Sequence, residues 1–362
     1  MKSEKLVKNK ARKRTNYIDN LRWMTILLLF PFHAAQLWNV EGFYVWAHTN
    51  KVLYIFSTFV YPWLMTLLFL LAGISTKFSL KNRTYKKYLA ERCQKLLIPF
   101  VFGTLVLSPI MTYIAEIYFN DYTGSYWRQY IMFFTKETDL SGYTGGVTPA
   151  HFWFLLYLFI ISILFLTVLR LKTWFFKEKT LPTLNYFHLL LLFVPIWLAL
   201  YIFNIAGKSL GHFFMVFVLG YAVFSQPKAI ELLKKNRMIT ILLWLISEVI
   251  FIYLYCILEI DGPLSTGLFV MVGYFGALAL LSIGAKYFDF KNNVSSYFTK
   301  ASFSIYLIHQ VWVVVVGFFC LQYMQGILFQ FLIITIVSFF LTLLSYIIIK
   351  NMPIINRLFG AK

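Results

Sequence analysis

Residues 53 to 72, LYIFSTFVYPWLMTLLFLLA, run for 20 positions without one charged side chain. A helix of about 20 residues rises about 30 Å, the thickness of a bilayer's hydrocarbon core, so this stretch reads as a membrane span. Comparable runs lie on both sides of it: 23–40 before, and 96–117, 152–169, 186–205, 212–225, 239–258, 266–285, 303–320 and 328–349 after. The chain therefore reads as an all-α integral membrane protein of about ten transmembrane helices. Its composition agrees, being 60% hydrophobic and 13% charged, against about 25% charged in soluble proteins. Many of its 39 Phe and 24 Tyr fall at the ends of apolar runs, where amphipathic rings favour the headgroup layer.

The run at 212–225 is short, and loop charge decides whether it counts. Basic residues gather in alternate connections: Lys2 to Arg14, Lys77 to Lys95, Arg170 to Lys179, Lys228 to Arg237, Lys286 to Lys300 and Lys350 to Lys362. The positive-inside rule makes these cytoplasmic, with both termini on that side, and deleting the short sixth helix breaks the parity. The expected organisation is a basic cytoplasmic segment 1–22, a ten-helix domain 23–350 and a cytoplasmic tail 351–362. No cleavable leader is expected, because no small-residue cleavage site follows the first apolar run. Residues 118–151 form a long outer loop carrying Asp121, Trp127, Arg128, Tyr130, Lys136 and Asp139. A loop of that length suits a glycan contact or an interfacial cover.

The net charge of +19 is distributed in short clusters between apolar runs, which fits membrane orientation and excludes nucleic acid as partner. Cys93, Cys256 and Cys320 make no metal or redox spacing and the six His are scattered, so no metal and no permanently bound cofactor is expected.

The chemistry concentrates in the first run. Arg22 and His33 stand eleven residues apart, which at about 100° per residue brings both to nearly the same helix face. The rise between them is about 16 Å, placing Arg22 at the cytoplasmic boundary and His33 near mid-membrane. An ionisable side chain in hydrocarbon is costly unless it faces the bundle interior or a wet cavity, so it marks function by default. Neutral imidazole can take a proton from a hydroxyl as that hydroxyl attacks a carbonyl. Guanidinium grips phosphate through a planar fork. Together they suggest a phosphate-bearing acyl donor from the cytoplasm and a hydroxyl acceptor from outside.

The Arg-x10-His arrangement of Arg22 and His33 after Asp19 resembles the signature of the membrane acyltransferase-3 family. Phe69-Leu70-Leu71-Ala72-Gly73, Arg92-x-x-Lys95 running into Ile98-Pro99, Trp153-Phe154-Leu155 after His151, and Ser302 through Tyr306-Leu307-Ile308-His309 are similar to further parts of the family's layout. The resemblance implies O-acylation of an extracytoplasmic carbohydrate with acyl-CoA as donor co-substrate, closest to the glucan-modifying branch, in a prokaryotic cell membrane. Unlike in the longer members of that family, no attached soluble hydrolase-like domain is expected.

Other positions carry two readings each. Arg92 and Lys95, at the mouth of the third helix, suit coenzyme A phosphates or plain positive-inside anchoring. His309, placed one or two turns inside the cytoplasmic end of its helix and too near that face to partner His33 without tilt, lines the donor channel or packs. Glu248, the carboxylate in the middle of a span, orients His33, holds an Arg or is a protonated interhelical bond, and Asp19 is a second candidate polar partner. His151, Trp153 and Trp127 are placed for the acceptor, since an indole stacks on a pyranose, while an ordinary aromatic belt predicts the Trp residues equally. Lys208 and His212 also lie near the outer face. The expected activity is acetyl or succinyl transfer with His33 as general base and Arg22 on the donor; the rivals are a transporter or flippase of a lipid-linked sugar and a membrane scaffold without chemistry.

Overall fold

A computed structural model describes residues 16–39, 43–138, 143, 145–175, 184–205 and 207–359. The basic stretch Lys2 to Arg14, Asp139, Lys179 and Lys362, named above, lie outside the described residues.

Proline decides where the first apolar run bends. The run forms α1 (Asn16–Leu27) and α2 (Leu29–Ala35), broken at Leu28, followed by a 3-10 turn at Gln36–Trp38. Pro31 has no N–H for the Leu27 carbonyl, and the ladder opens there. Next come α3 (Lys51–Leu80) and α4 (Tyr85–Asn120). In α4, wide π turns at Cys93–Leu97 and Gly103–Leu107 precede Pro99 and Pro109. The loop helix α5 (Tyr126–Thr135) leads to α6 (Ala150–Leu171).

The fifth run is α7 (Tyr186–Ala199), interrupted at Leu192, again three residues before a proline, Pro195. A two-residue antiparallel ladder, β1 (Asn204–Ile205) with β2 (Lys208–Ser209), turns the chain into α8 (Leu210–Phe224). The amphipathic α9 (Pro227–Lys235) leaves α8 at 94°. Then follow α10 (Arg237–Ile257), α11 (Pro263–Tyr287), α12 (Asn293–Tyr323), α13 (Ile327–Lys350) and the short α14 (Pro353–Leu358).

Among the described residues seven helices, α3, α4, α6, α10, α11, α12 and α13, are long and apolar enough to cross a membrane, and eight if the bent α8–α9 pair is one span. Six of the seven contain one of the expected runs whole, and α10 contains all but the last residue of 239–258. The other three runs are helical but shorter or broken, at Leu28, at Leu192 and at the α8–α9 bend. Within its most apolar window α12 is 78% buried and α3 and α11 are 67% buried, against 22% for α13 and 33% for α10. The first three therefore form the interior, and the others give their apolar sides to lipid.

Helices α3 and α8 cross in close backbone contact. A Cβ on Gly73 would collide with the Phe217 carbonyl, and a Cβ on Gly220 would collide with the Leu70 carbonyl. Small residues on both helices let two backbones touch, which is how helices associate where lipid removes the hydrophobic drive. At the other side of the bundle, the Asn20 amide donates to the Phe288 and Phe290 carbonyls at 2.6 and 2.9 Å, and the Asn16 N–H donates to Asp289 at 2.7 Å. These bonds tie the start of α1 to the end of α11.

The long loop is built rather than loose. Ser125 caps α5, the Tyr130 hydroxyl donates to the Leu105 carbonyl at 3.1 Å, and Lys136 pairs with the buried Glu116 carboxylate. Asn120 bridges Glu116 and the Tyr143 hydroxyl at 2.8 and 3.1 Å. Burial and the Glu116 carboxylate push the Tyr143 phenol above its usual range, keeping it a donor.

Replacing Gly73 with Leu should cost on the order of 1–3 kcal/mol through overpacking, read as a lower thermal transition of the detergent-purified protein. Lys136→Met leaves the buried Glu116 carboxylate without its cation, held by Asn120 alone, and proteolysis in the 118–151 loop should accelerate several-fold while the helices remain intact.

Candidate functional site

Lipid cannot solvate imidazole, so each histidine in the bundle must find its partners within the fold. Three of them find one another. His33 on α2 has its ring centroid 5.2 Å from that of His309 on α12, and His309 lies 4.9 Å from His151 in the 3-10 turn Ala150–Phe152 that opens α6. His33 Nδ1 is 2.8 Å from Gln36 Oε1. An amide oxygen only accepts, so the ring donates from Nδ1 and Nε2 keeps its lone pair. His309 Nδ1 donates to the Tyr306 carbonyl at 2.7 Å, and His151 Nε2 donates to the Leu307 carbonyl at 3.2 Å. The Tyr306 hydroxyl in turn donates to the His151 carbonyl, locking the turn onto α12.

A cavity of about 1080 Å³ reaches this cluster. His33, Gln36, His151, Tyr306 and Gln310 line its inner part, and Asn39, Trp46, Phe119, Tyr143, Trp153 and Lys208 belong to the end of the bundle that carries the long loop. Apart from histidine, the charged residues of its lining are Lys208 and Asp261; the rest are mostly aromatic, hydroxyl-bearing or amide side chains. Lys208 Nζ stands 5.6 Å over the Trp153 ring, and the Tyr157 hydroxyl donates to the Lys208 carbonyl at 2.9 Å. Flat rings with a few hydrogen-bonding groups are the lining that suits an uncharged polyhydroxylated ligand.

The opposite, basic end holds the other expected residues. Arg22 donates to Asp19 at 3.0 Å and to the Ser75 hydroxyl at 2.8 Å. Asp19 is thus the polar partner of Arg22. Arg92 donates to Thr76 at 3.2 Å and stacks 4.7 Å over Tyr88, whose hydroxyl is 3.0 Å from Thr76 and donates to Ser162 at 3.4 Å. Ser75 and Thr76 are consecutive, so the two guanidinium groups flank different sides of the end of α3. Lys95 is exposed in the first π turn of α4. None of these lines the cavity described above.

Several placements differ from those expected. α12 begins at Asn293, ten residues before the apolar run at 303, because Asn292 and Ser295 form a capping box. His309 is therefore about 24 Å along its helix and reaches His33, instead of sitting near the basic end. His151 is 7% exposed and packs against His309 rather than standing at the surface. Trp127 is 73% exposed on the outward side of α5 and stands apart from the cavity. Glu248 accepts from the Trp244 indole one turn away on α10, at 3.0 Å, and not from His33 or an arginine. His212 has the Thr66 hydroxyl 3.5 Å from its Nε2 and lies outside the cavity lining. Gln36 was not singled out from the sequence, although its spacing of three from His33 is the helical neighbour spacing.

Residues 15–350 match the acyltransferase-domain family known as acyltransferase-3. Among curated proteins the chain is similar to glucans biosynthesis protein C of Salmonella paratyphi B and of Salmonella agona. Each is 24% identical over 385 aligned positions, which cover 96% of this chain and 95% of the relative. No solved structure matches. With the family match extending over nearly the whole chain, this membrane protein belongs to the acyltransferase-3 family.

Proposed function

We propose that the protein is a cell-membrane O-acyltransferase that moves an acetyl or succinyl group from cytoplasmic acyl-CoA to a hydroxyl of an extracytoplasmic glycan. In this reading ten segments cross the membrane, both termini are cytoplasmic, and no cofactor is permanently bound. The observation that carries it is His33 at the inner part of an aromatic, nearly uncharged cavity, with Nδ1 committed to Gln36. The bare Nε2 is a general base held in the correct tautomer. The glucan in the name of the Salmonella relatives supports a glucose polymer as the acceptor.

The step is a transfer between two oxygen and sulfur nucleophiles. His33 Nε2 removes the acceptor hydroxyl's proton as its oxygen bonds to the thioester carbonyl carbon. The tetrahedral intermediate then expels the coenzyme A thiolate by cleavage of the C–S bond, and the imidazolium returns the proton to that sulfur. Arg22 holds the donor's phosphates at the basic end, with Arg92 and Lys95 along the approach. The separation of about 16 Å along the helix between Arg22 and His33 suits the extended pantetheine arm. Trp153 and His151 face the acceptor. Membership in an acyltransferase family disfavours the sugar-transporter alternative.

Substitutions at three positions test this account with radiolabelled acetyl-CoA or succinyl-CoA and linear glucose oligosaccharides. His33→Ala should lower transfer by about 10²–10⁴-fold; wild-type transfer by that variant overturns the mechanism. Gln36→Leu should lower kcat by on the order of 10- to 100-fold by releasing the tautomer, with the KM for the oligosaccharide unchanged. Arg22→Ala should raise the KM for acyl-CoA about tenfold, and Arg22→Lys should recover part of it because a point charge lacks the guanidinium fork.

A further inference from the structure

The basic end carries a group of side chains that the mechanism above leaves largely unused. Three cations there each lie over a tyrosine ring: Lys77 4.6 Å from the Tyr221 centroid, Arg92 4.7 Å from Tyr88 and Arg170 5.8 Å from Tyr85. The rings belong to one group, since the Tyr221 phenol is within electrostatic reach of Tyr85 and Tyr88. They come from α4 and α8 and gather beside the end of α3, while α6 supplies Arg170 and the Ser162 hydroxyl. Lys77 and Arg92 are partly buried, and neither has a carboxylate partner among the described residues. Ring faces and the Thr76 hydroxyl hold these two cations in place without neutralising them. Partly buried positive charge without a counter-ion is costly and favours an anion beside it. Orientation in the membrane needs no such arrangement, because exposed lysines such as Lys86 and Lys87 serve for that.

We propose that Lys77 and Arg170, with the tyrosines between them, form the subsite for the ribose 3′-phosphate of the acyl-CoA donor. This rests on the donor reading given under the proposed function. Coenzyme A carries, in order from its thiol, a pantetheine arm, a pyrophosphate and a ribose with a phosphate monoester on its 3′ oxygen. A donor with its thioester at His33 and its pyrophosphate at Arg22 and Arg92 presents that monoester farther out along the basic end. Lys77 and Arg170 stand there: Lys77 lies in the last turn of α3, and Arg170 is the last residue but one of α6. Arg170 covers Tyr85, the first residue of α4, from which Arg92 is about 10 Å farther along the helix. A phosphate dianion at this place takes an ammonium point charge and a guanidinium fork, with the Tyr85 and Tyr221 phenols as further donors. The subsite selects the nucleotide thioester over a phosphopantetheine thioester on a carrier protein, which has no ribose to read.

The test measures, by calorimetry, binding of coenzyme A and of 3′-dephospho-coenzyme A to the full-length protein in zwitterionic lipid nanodiscs. Wild type should bind coenzyme A about 10- to 100-fold more tightly than the dephospho form. Lys77→Gln and Arg170→Gln should each weaken coenzyme A about tenfold while moving the Kd of the dephospho form by less than about twofold. Lys77→Arg keeps the charge and should keep the preference. Lys286→Gln, which removes a cation beside Tyr287 at the end of α11, controls for diffuse charge and should alter neither Kd. Thermal transitions report folding of every variant. Equal wild-type affinity for the two ligands, a loss in Lys77→Gln shared equally by both, or an effect of Lys286→Gln as large as that of Lys77→Gln each overturns the proposal. A preference abolished by adding phosphatidylglycerol to the discs assigns these cations to lipid headgroups and overturns it as well. If wild type binds neither ligand, the donor reading of the proposed function falls too; if it binds both alike, that reading stands and only the 3′-phosphate subsite is lost.

Discussion

Hydrocarbon offers a polar group nothing to bond to, and that single constraint governs this protein from its backbone to its site. Every peptide group inside the bilayer must be satisfied by the chain itself, which leaves helices as the available architecture. The same rule holds for side chains. Hydroxyls along the helices return to their own carbonyls, as Thr66 does to Pro62 and Ser162 to Leu158. Each histidine of the cluster gives one ring proton to a carbonyl oxygen. What remains among the described residues is two buried ring nitrogens without a protein partner, His151 Nδ1 and His309 Nε2, with a largely aromatic cavity reaching His33 and His151.

The helix breaks follow from the same constraint. Pro31 opens the ladder within α1 and α2, two residues before His33, so this histidine sits on a short helix that can be oriented separately from the segment carrying Arg22. Gln36, in the 3-10 turn that ends this short helix, reaches back to the imidazole. The basic end is fixed differently, by Arg22 on Asp19 and Ser75 and by Arg92 on Thr76 and Tyr88. The proposed division of labour follows this layout: guanidinium groups at one end, imidazoles deep in the bundle, and aromatic and hydroxyl-bearing surfaces toward the other end.

Much of this was legible in the amino-acid sequence, and the exceptions have physical causes. Apolar runs located seven long helices, and His33, conspicuous as an imidazole in lipid, is one of the residues lining the cavity, whereas Arg22 lies away from it. Hydropathy stops where polarity begins, however, and α12 continues for ten residues through Ser295 to Lys300 before its apolar part. That offset misplaced His309 by about 15 Å along the helix and concealed its contact with His33. Attention to the Asn292 and Ser295 capping pair would have moved the helix start. The neighbour of Glu248 was not legible, since nothing in a helix sequence states which side faces the bundle, and the answer was Trp244 on the same helix. The loop's aromatic residues were equally ambiguous: Trp153 joined the cavity, whereas Trp127 turned outward.

The central claim is that one site joins a donor at the basic end to an acceptor at the other, across the membrane. Purified protein reconstituted in liposomes in one orientation, with glucose oligosaccharide sealed inside and radiolabelled acyl-CoA supplied only outside, tests it most directly. Vesicles that expose the Arg22 end to the outside should label the enclosed oligosaccharide, and vesicles of the reverse orientation should not. Labelling that requires donor and acceptor on the same side of the bilayer would contradict the account.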